Sequence, residues 1–167
     1  MQRRKGLSRR EKLLQRVDQA WRTFQESYAG LSEQELLTPG VIGLWSIRDV
    51  IAHVTTWEEE ALKYLPLIIQ GGTPPKYSVK YGGINAFNAQ STANKKNLPL
   101  PEVFRQQAKV HRQLIEFIQG VSEKHLDSST RFWRRLRADT FGHCGKHAAV
   151  IRKWRSKNLE LEIQSDE

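Results

Sequence analysis

The sequence predicts an all-α protein, a four-helix bundle with a short extra helix and a long loop between the second and third long helices. Three observations predict it. Apolar residues recur at steps of three and four in four separate segments, the spacing that gathers side chains on one face of a helix. Serine caps and Pro or Gly stops bracket those segments. No run alternates polar and apolar residues long enough to read as a strand. Four amphipathic helices bury their stripes best against one another. The 167 residues fit one domain over 1–167, with a basic tail at 1–7 and an acidic tail at 158–167 expected to be flexible.

The first helix is announced by Ser8-Arg9-Arg10-Glu11, where the Ser and Glu side chains can satisfy each other's backbone N–H groups. Leu14, Val17, Trp21, Phe24 and Tyr28 then line one face, and Gly30 ends the segment. A short helical turn is predicted from Ser32 to Leu37, before Thr38-Pro39-Gly40. The second long helix starts at Ser46, with Asp49 three residues on, and carries Ile47, Val50, Val54, Trp57, Ala61, Tyr64 and Leu65 inward. Trp45, Trp57 and Tyr64 read as core and staple residues. Pro66 should end or kink this helix, because it removes a backbone donor and crowds the preceding turn. Gly71-Gly72-Thr73-Pro74-Pro75 opens a loop to Gly83, long enough to be a candidate lid, with Tyr77 and Tyr81 on it. A short polar helix is predicted over Ile84 to Lys96. The third long helix follows Pro99-Leu100-Pro101, with Val103, Val110, Leu114 and Phe117 inward and Gly120 as its stop. A polar connection containing the basic stretch around Trp133 leads to the last helix, from Asp139 or Thr140 to about Trp154.

Composition excludes several classes. Hydrophobic residues at 38% and charged residues at 27% describe a globular chain rather than a disordered one. The longest apolar run, Leu65 to Ile69, falls far short of the about 20 residues a membrane span needs, so no membrane partner is expected. Basic Met1 to Gly6 is followed by no apolar stretch, and a lone Cys144 forms no internal disulfide, so a cytoplasmic address is expected. The net charge of +9 gathers at Arg3-Arg4-Lys5, Arg9-Arg10 and Arg131 to Arg137, but no nucleic-acid-binding signature accompanies it. Charge alone reports solubility and nonspecific attraction, so nucleic-acid binding is disfavoured. The oligomeric state is left open, a homodimer included.

The histidines carry the chemistry. His143 and His147 are four residues apart and project from one helix face, continued by Val150 and Trp154. His53 lies between Val50 and Trp57 on the inward face of the second long helix. A chance pair at this spacing is common enough, but three inward imidazoles would each need a buried partner, and an unpaired one costs about 1–3 kcal/mol. One shared divalent metal answers all three, with zinc the default and nickel compatible with imidazole. Glu58 and Glu60 read as solvent-facing, His111 as a satisfied boundary histidine, His125 as exposed, and Cys144, one residue off the ligand face, as packing. No general acid or base can be named.

The stretch from Trp45 to Glu58 (WSIRDVIAHVTTWE) resembles the second-helix motif of the DinB-like, or YfiT-like, metalloenzyme superfamily, and Asp139 to His147 with Ile151 to Trp154 resembles its last-helix motif. Asn85 to Asn88 and the Leu98 to Phe117 segment are similar to the family's middle, and the whole is most similar to the branch of the ClbS and DfsB proteins. The resemblance implies a bundle with a three-histidine metal triad at His53, His143 and His147. Two departures stand out. Cys144 occupies a position where an aromatic residue is frequent, and Gly142 and Gly145 each cost a helix interior about 1 kcal/mol relative to Ala. They imply either close backbone approach or a helix that is loose without its metal.

The family's characterised enzymes imply a metal-dependent transferase or hydrolase that activates a small thiol or water against a small electrophile, of detoxification or self-resistance type. The expected partners are a small-molecule substrate and a low-molecular-weight thiol. The alternative is a non-catalytic small-molecule-binding or stress-response bundle whose metal is structural or absent.

Overall fold

The computed structural model describes residues 6–165, with side chains to residue 158. The expected flexible tails therefore fall largely outside the described residues, 1–5 and 166–167 altogether and 159–165 in their side chains. Helices run over α1 (Arg9–Tyr28), α2 (Glu33–Leu37), α3 (Ile47–Ile69), α4 (Tyr77–Lys80), α5 (Ile84–Lys95), α6 (Leu100–Gly120), α7 (Arg131–Asp139) and α8 (Phe141–Ser165). There is no strand among the described residues, only one bridge between Ile42 and Trp45. None of these helices is long and apolar enough to cross a membrane.

The four long helices close a ring: α1 packs on α8, α8 on α3, α3 on α6 and α6 on α1. Their starts obey the sequence. Ser8 with Glu11, Ser32 with Glu35 and Ser46 with Asp49 each form the reciprocal cap, which satisfies N–H groups a helix start otherwise leaves orphaned. The core divides along the bundle axis. One cluster gathers Phe24, Tyr28, Ile47, Ile51, Val54, Val103 and Ile151, and the other Leu13, Val17, Leu65, Leu114, Ile118, Phe132 and Leu136.

Four expectations need correction. The helix of Pro66 does not end there but continues to Ile69, because Ile68 and Ile69 pack against the second cluster and offset the lost hydrogen bond. The connection around Trp133 is itself a helix, α7, capped by Thr130, which accepts from the Trp133 N–H. It buries Phe132 and Leu136 and sheds Arg131, Arg134 and Arg137 outward, so its apolar pair was hidden among charges. The last helix does not stop near Trp154: nothing after Gly145 breaks it, and Arg155 pins it to α1 by donating to the carbonyls of Ser27 (2.9 Å) and Ala29 (3.3 Å). The loop from Gly71 is likewise not structureless, since α4 interrupts it.

Because α3 touches α2, α5, α6, α7 and α8, almost its whole circumference is covered. This central position turns Glu58 and Glu60, expected in solvent, into buried groups (1% and 7% exposed).

Candidate metal centre

His53 sits two turns into α3, and the start of that helix is fixed firmly. Ser46 accepts from the Asp49 N–H, Arg48 donates to Asp49 at 2.6 Å, and the same guanidinium reaches the carbonyls of Lys96 and Leu98 between α5 and α6. On α8, Cys144 and Ala148 point into the core and Ile151 is fully buried. The neighbouring stripe of that helix, His143 and His147, is thereby turned toward α3.

The three sequence-predicted ligands meet. His143 Nε2 lies 3.1 Å from His53 Nε2 and 2.9 Å from His147 Nε2. One ring nitrogen is either an N–H or a lone pair, so His143 Nε2 cannot be an ordinary partner to both neighbours. The three Nδ1 atoms, buried as well, have no hydrogen-bond partner. Tetrahedral zinc–imidazole bonds of about 2.0–2.1 Å set ligand nitrogens about 3.3 Å apart, so these spacings stand within a few tenths of an ångström of a coordination shell. The donor set is one that could hold a metal ion.

Burial, aided by the charge of His147, lowers the His53 pKa to about 3. Burial, with the neighbouring His147 and His53 and then Lys146 adding to it, brings His143 down to about 2, and burial with the charge of Lys146 brings His147 to about 4. All three rings are neutral near pH 7, the form that binds metals.

The triad floors a cavity of about 530 Å³ walled by Ile42, Trp45, Asn85, Asn88, Lys146 and Val150. Trp45 packs 4.9 Å from the His53 ring and serves twice, against the core cluster as read from the sequence and as a wall of this cavity. Asn88 accepts from Trp57 Nε1 at 3.0 Å, which leaves its amide hydrogens for other partners. No carboxylate lines the space, and Lys146 is its one titratable group besides the imidazoles. Sequence reasoning missed Ile42, Asn85, Asn88 and Lys146 as wall residues. The signal was strongest for Lys146, whose place between the paired histidines on an exposed helix turn puts it at their rim.

Other candidates lie elsewhere. Tyr77 and Tyr81 do not line the cavity; α5 supplies that wall, while Tyr77 stacks on Trp57 (5.4 Å) and donates to buried Glu60 at 2.5 Å. The candidate lid is thus docked on α3 and α7, where Arg135 also donates to the Tyr77 hydroxyl at 3.0 Å. Glu58 faces His111, and His125 is half-buried rather than exposed, 6.4 Å from the Phe132 ring. Cys144 is a free, buried core residue, and burial pushes its thiol pKa up.

The model of the DinB superfamily matches residues 16–150, which contain both histidine motifs. The chain belongs to the DinB superfamily. No curated protein sequence matches it. Among solved structures it is similar to the colibactin self-resistance protein ClbS, determined in complex with a dsDNA (TM-score 0.72, 13% identity, 86% of this chain and 93% of that one). It is similar also to the sibling lethal factor precursor DfsB (TM-score 0.73, 18% identity, 92% and 98%). An uncharacterised protein from Escherichia coli UTI89 resembles it at TM-score 0.74 and 14% identity, over 89% and 94%. At these identities the likeness shows the fold.

Proposed function

We propose that His53, His143 and His147 hold one divalent metal through their Nε2 atoms, zinc by default with nickel compatible. The protein then acts as a metal-dependent enzyme on a small electrophile, with a small thiol or water as the nucleophile. The observation that carries this reading is the convergence of three neutral imidazoles, all without other adequate partners, at the floor of a cavity free of carboxylates. An ion held by three protein ligands keeps an open position and acidifies a thiol or water placed there. The chain's own residues do the rest. Ile42, Trp45 and Val150 present an apolar wall, and the Asn85 and Asn88 amides offer hydrogen bonds to a bound molecule. With no carboxylate in the cavity and Lys146 its one other titratable group, ionisation of the nucleophile would rest on the bound metal rather than on a side-chain base. A buried free thiol at Cys144 accords with a cytoplasmic setting.

Elemental analysis of the purified protein and of its His53→Ala and His143→Ala variants tests the reading. One equivalent of metal in the wild type, lost in both variants with helicity retained, is the expected result. A wild type that takes up no stoichiometric metal on supplementation refutes it and leaves a non-catalytic bundle. A second reading, contact with DNA through the exposed arginines of α7, draws on the similarity to ClbS, a protein determined with dsDNA, although the sequence offers no nucleic-acid motif. It predicts duplex binding that weakens steeply with salt.

A further inference from the structure

A second concavity, of about 410 Å³, runs between α7 and α8 and is lined by Arg134, Arg137, Ala138, Gly142 and Lys146. Lys146 lines both this groove and the histidine cavity, so the two spaces meet at its side chain. The groove exists because α7 and α8 approach closely: a Cβ on Gly142 would stand 2.7 Å from the Arg137 carbonyl oxygen. Its walls bring three cations together without an acid. Among the described residues none of the three has a carboxylate within 4.0 Å, in contrast to Arg135, which follows Arg134 in the sequence and is paired with Asp139. The neutral contacts they do make are few. Arg134 donates to the Ser129 carbonyl at 3.0 Å, and Arg137 lies over the Trp133 ring at 5.8 Å. Each guanidinium therefore keeps N–H groups free, in the fork geometry that grips carboxylate and phosphate.

We propose that this groove is an anion-holding subsite of the histidine cavity, so that the molecule the cavity takes is small and carries at least two acidic groups, carboxylate or phosphate, beyond its reacting atom. Lys146 holds the group nearest the imidazoles, and Arg134 and Arg137 hold the one farther out. Three unpaired cations brought into one cleft repel each other, and an anionic ligand relieves that repulsion while a neutral one does not. The combined concave space has the size of a small-molecule site and not of a flat nucleic-acid-binding face. The inference names the ligand class of the site proposed above, and rests on that reading for which space the ligand's reacting end enters.

The test is calorimetric titration, at fixed ionic strength, of the protein as purified with tricarballylate and with inorganic pyrophosphate, repeated on His143→Ala, Lys146→Gln and Arg137→Gln. Saturable binding that survives in His143→Ala and weakens about tenfold in each of the other two, the cost of one charged hydrogen bond, supports the subsite. Preference for one probe assigns carboxylate or phosphate. The absence of saturable binding, or affinity unchanged in the Lys146→Gln, Arg137→Gln double variant, overturns it whatever the metal content. A mixed-sequence duplex that displaces pyrophosphate and loses its own binding in the same variants also overturns it, by assigning the groove to a nucleic-acid backbone. With metal-loaded protein, mercaptosuccinate should bind at least about tenfold tighter than 2-mercaptoethanol, and Lys146→Gln should erase the difference. If the anions bind but neither thiol perturbs the loaded centre, the subsite stands and the thiol reading falls.

Discussion

His53 and His111 are both almost out of solvent, at 4% and 6% exposure, yet the bundle treats them oppositely. His111 is closed by protein. Its Nδ1 faces Glu58 at 3.5 Å, and its ring lies flat on Trp21, 4.2 Å away at 11°. Glu58 in turn is held neutral-leaning by burial, which raises its pKa against the opposing pull of His111. His53 has a partnerless Nδ1 and a Nε2 that faces only another imidazole. Buried polar groups are nearly always satisfied, so three imidazoles gathered at one point, each with a partnerless ring nitrogen, call for an explanation. One histidine is part of the scaffold, and the other has the surroundings that the proposed metal site requires.

The largest effect that sharpens this contrast is metal removal. A ligand at a thousand times its Kd stabilises by about 4 kcal/mol. Chelation of the loaded wild type should therefore lower Tm by roughly 10 °C in scanning calorimetry, and His53→Ala should show no chelator response. The pH dependence has a definite sign. In the metal-free fold the three imidazoles titrate at about 2 to 4 because burial disfavours their charged forms. The unfolded chain binds protons near the ordinary pKa of about 6.5, so it holds more protons than the fold below that value. Metal-free stability should thus fall as pH drops from about 6.5 toward 4, and bound metal should be released only toward the lower end of that range, where protons begin to compete for the folded rings. A chelator-insensitive Tm across pH 5–8 would break the comparison at its root.

Next in size is Glu58→Ala. It empties a fully buried volume and strips His111 of its partner, with an expected loss of about 3 kcal/mol in urea unfolding. Glu58→Gln keeps the volume and a hydrogen-bonding group and should cost about 1 kcal/mol. Both variants should keep the metal of the wild type, because Glu58 does not line the histidine cavity. Loss of metal from Glu58→Gln would mean the two histidine environments are one coupled network.

The caps and the His143–His147 pair were legible in the sequence because they rest on local rules, whereas His53 was joined to them by its inward stripe and by the family resemblance. A Ser with an acid three residues on, or two histidines four apart, says the same thing whatever the neighbours are. What was not legible depends on how many neighbours a helix has. Glu58 and Glu60 were read as outer-face residues on the premise that α3 has an outer face, and a helix contacted from five sides has almost none. The uncharged run from Val50 to Thr56 carried a hint of that all-round burial. Helix α7 was hidden for the opposite reason: Phe132 and Leu136 are too few among arginines to show a period, and only docking on α3 and α8 reveals them as core. The cavity wall was the least legible part, since Ile42, Asn85 and Lys146 come from three separate segments and nothing local relates them.

The smallest effects concern the two glycines of α8, and they separate the two explanations the sequence leaves open. At Gly142 a methyl group would collide with the Arg137 carbonyl oxygen, a backbone atom that cannot swing aside. Gly142→Ala should cost about 1–3 kcal/mol by forcing α7 and α8 apart, and should weaken metal binding by shifting His143. Gly145 meets nothing within 4 Å and has ordinary helical backbone, so no close approach requires it. There the missing side chain only adds freedom to the unfolded chain, and Gly145→Ala should stabilise the metal-free protein by about 0.5–1 kcal/mol in urea unfolding. Both histidines flank these positions, so the paired result bears on the site itself. If Gly145→Ala raises stability but lowers metal affinity, looseness of this turn is what lets His143 and His147 adjust around an ion. If affinity is unchanged, the triad is already set by the packing of Cys144 and Ala148, and the glycine is dispensable to it.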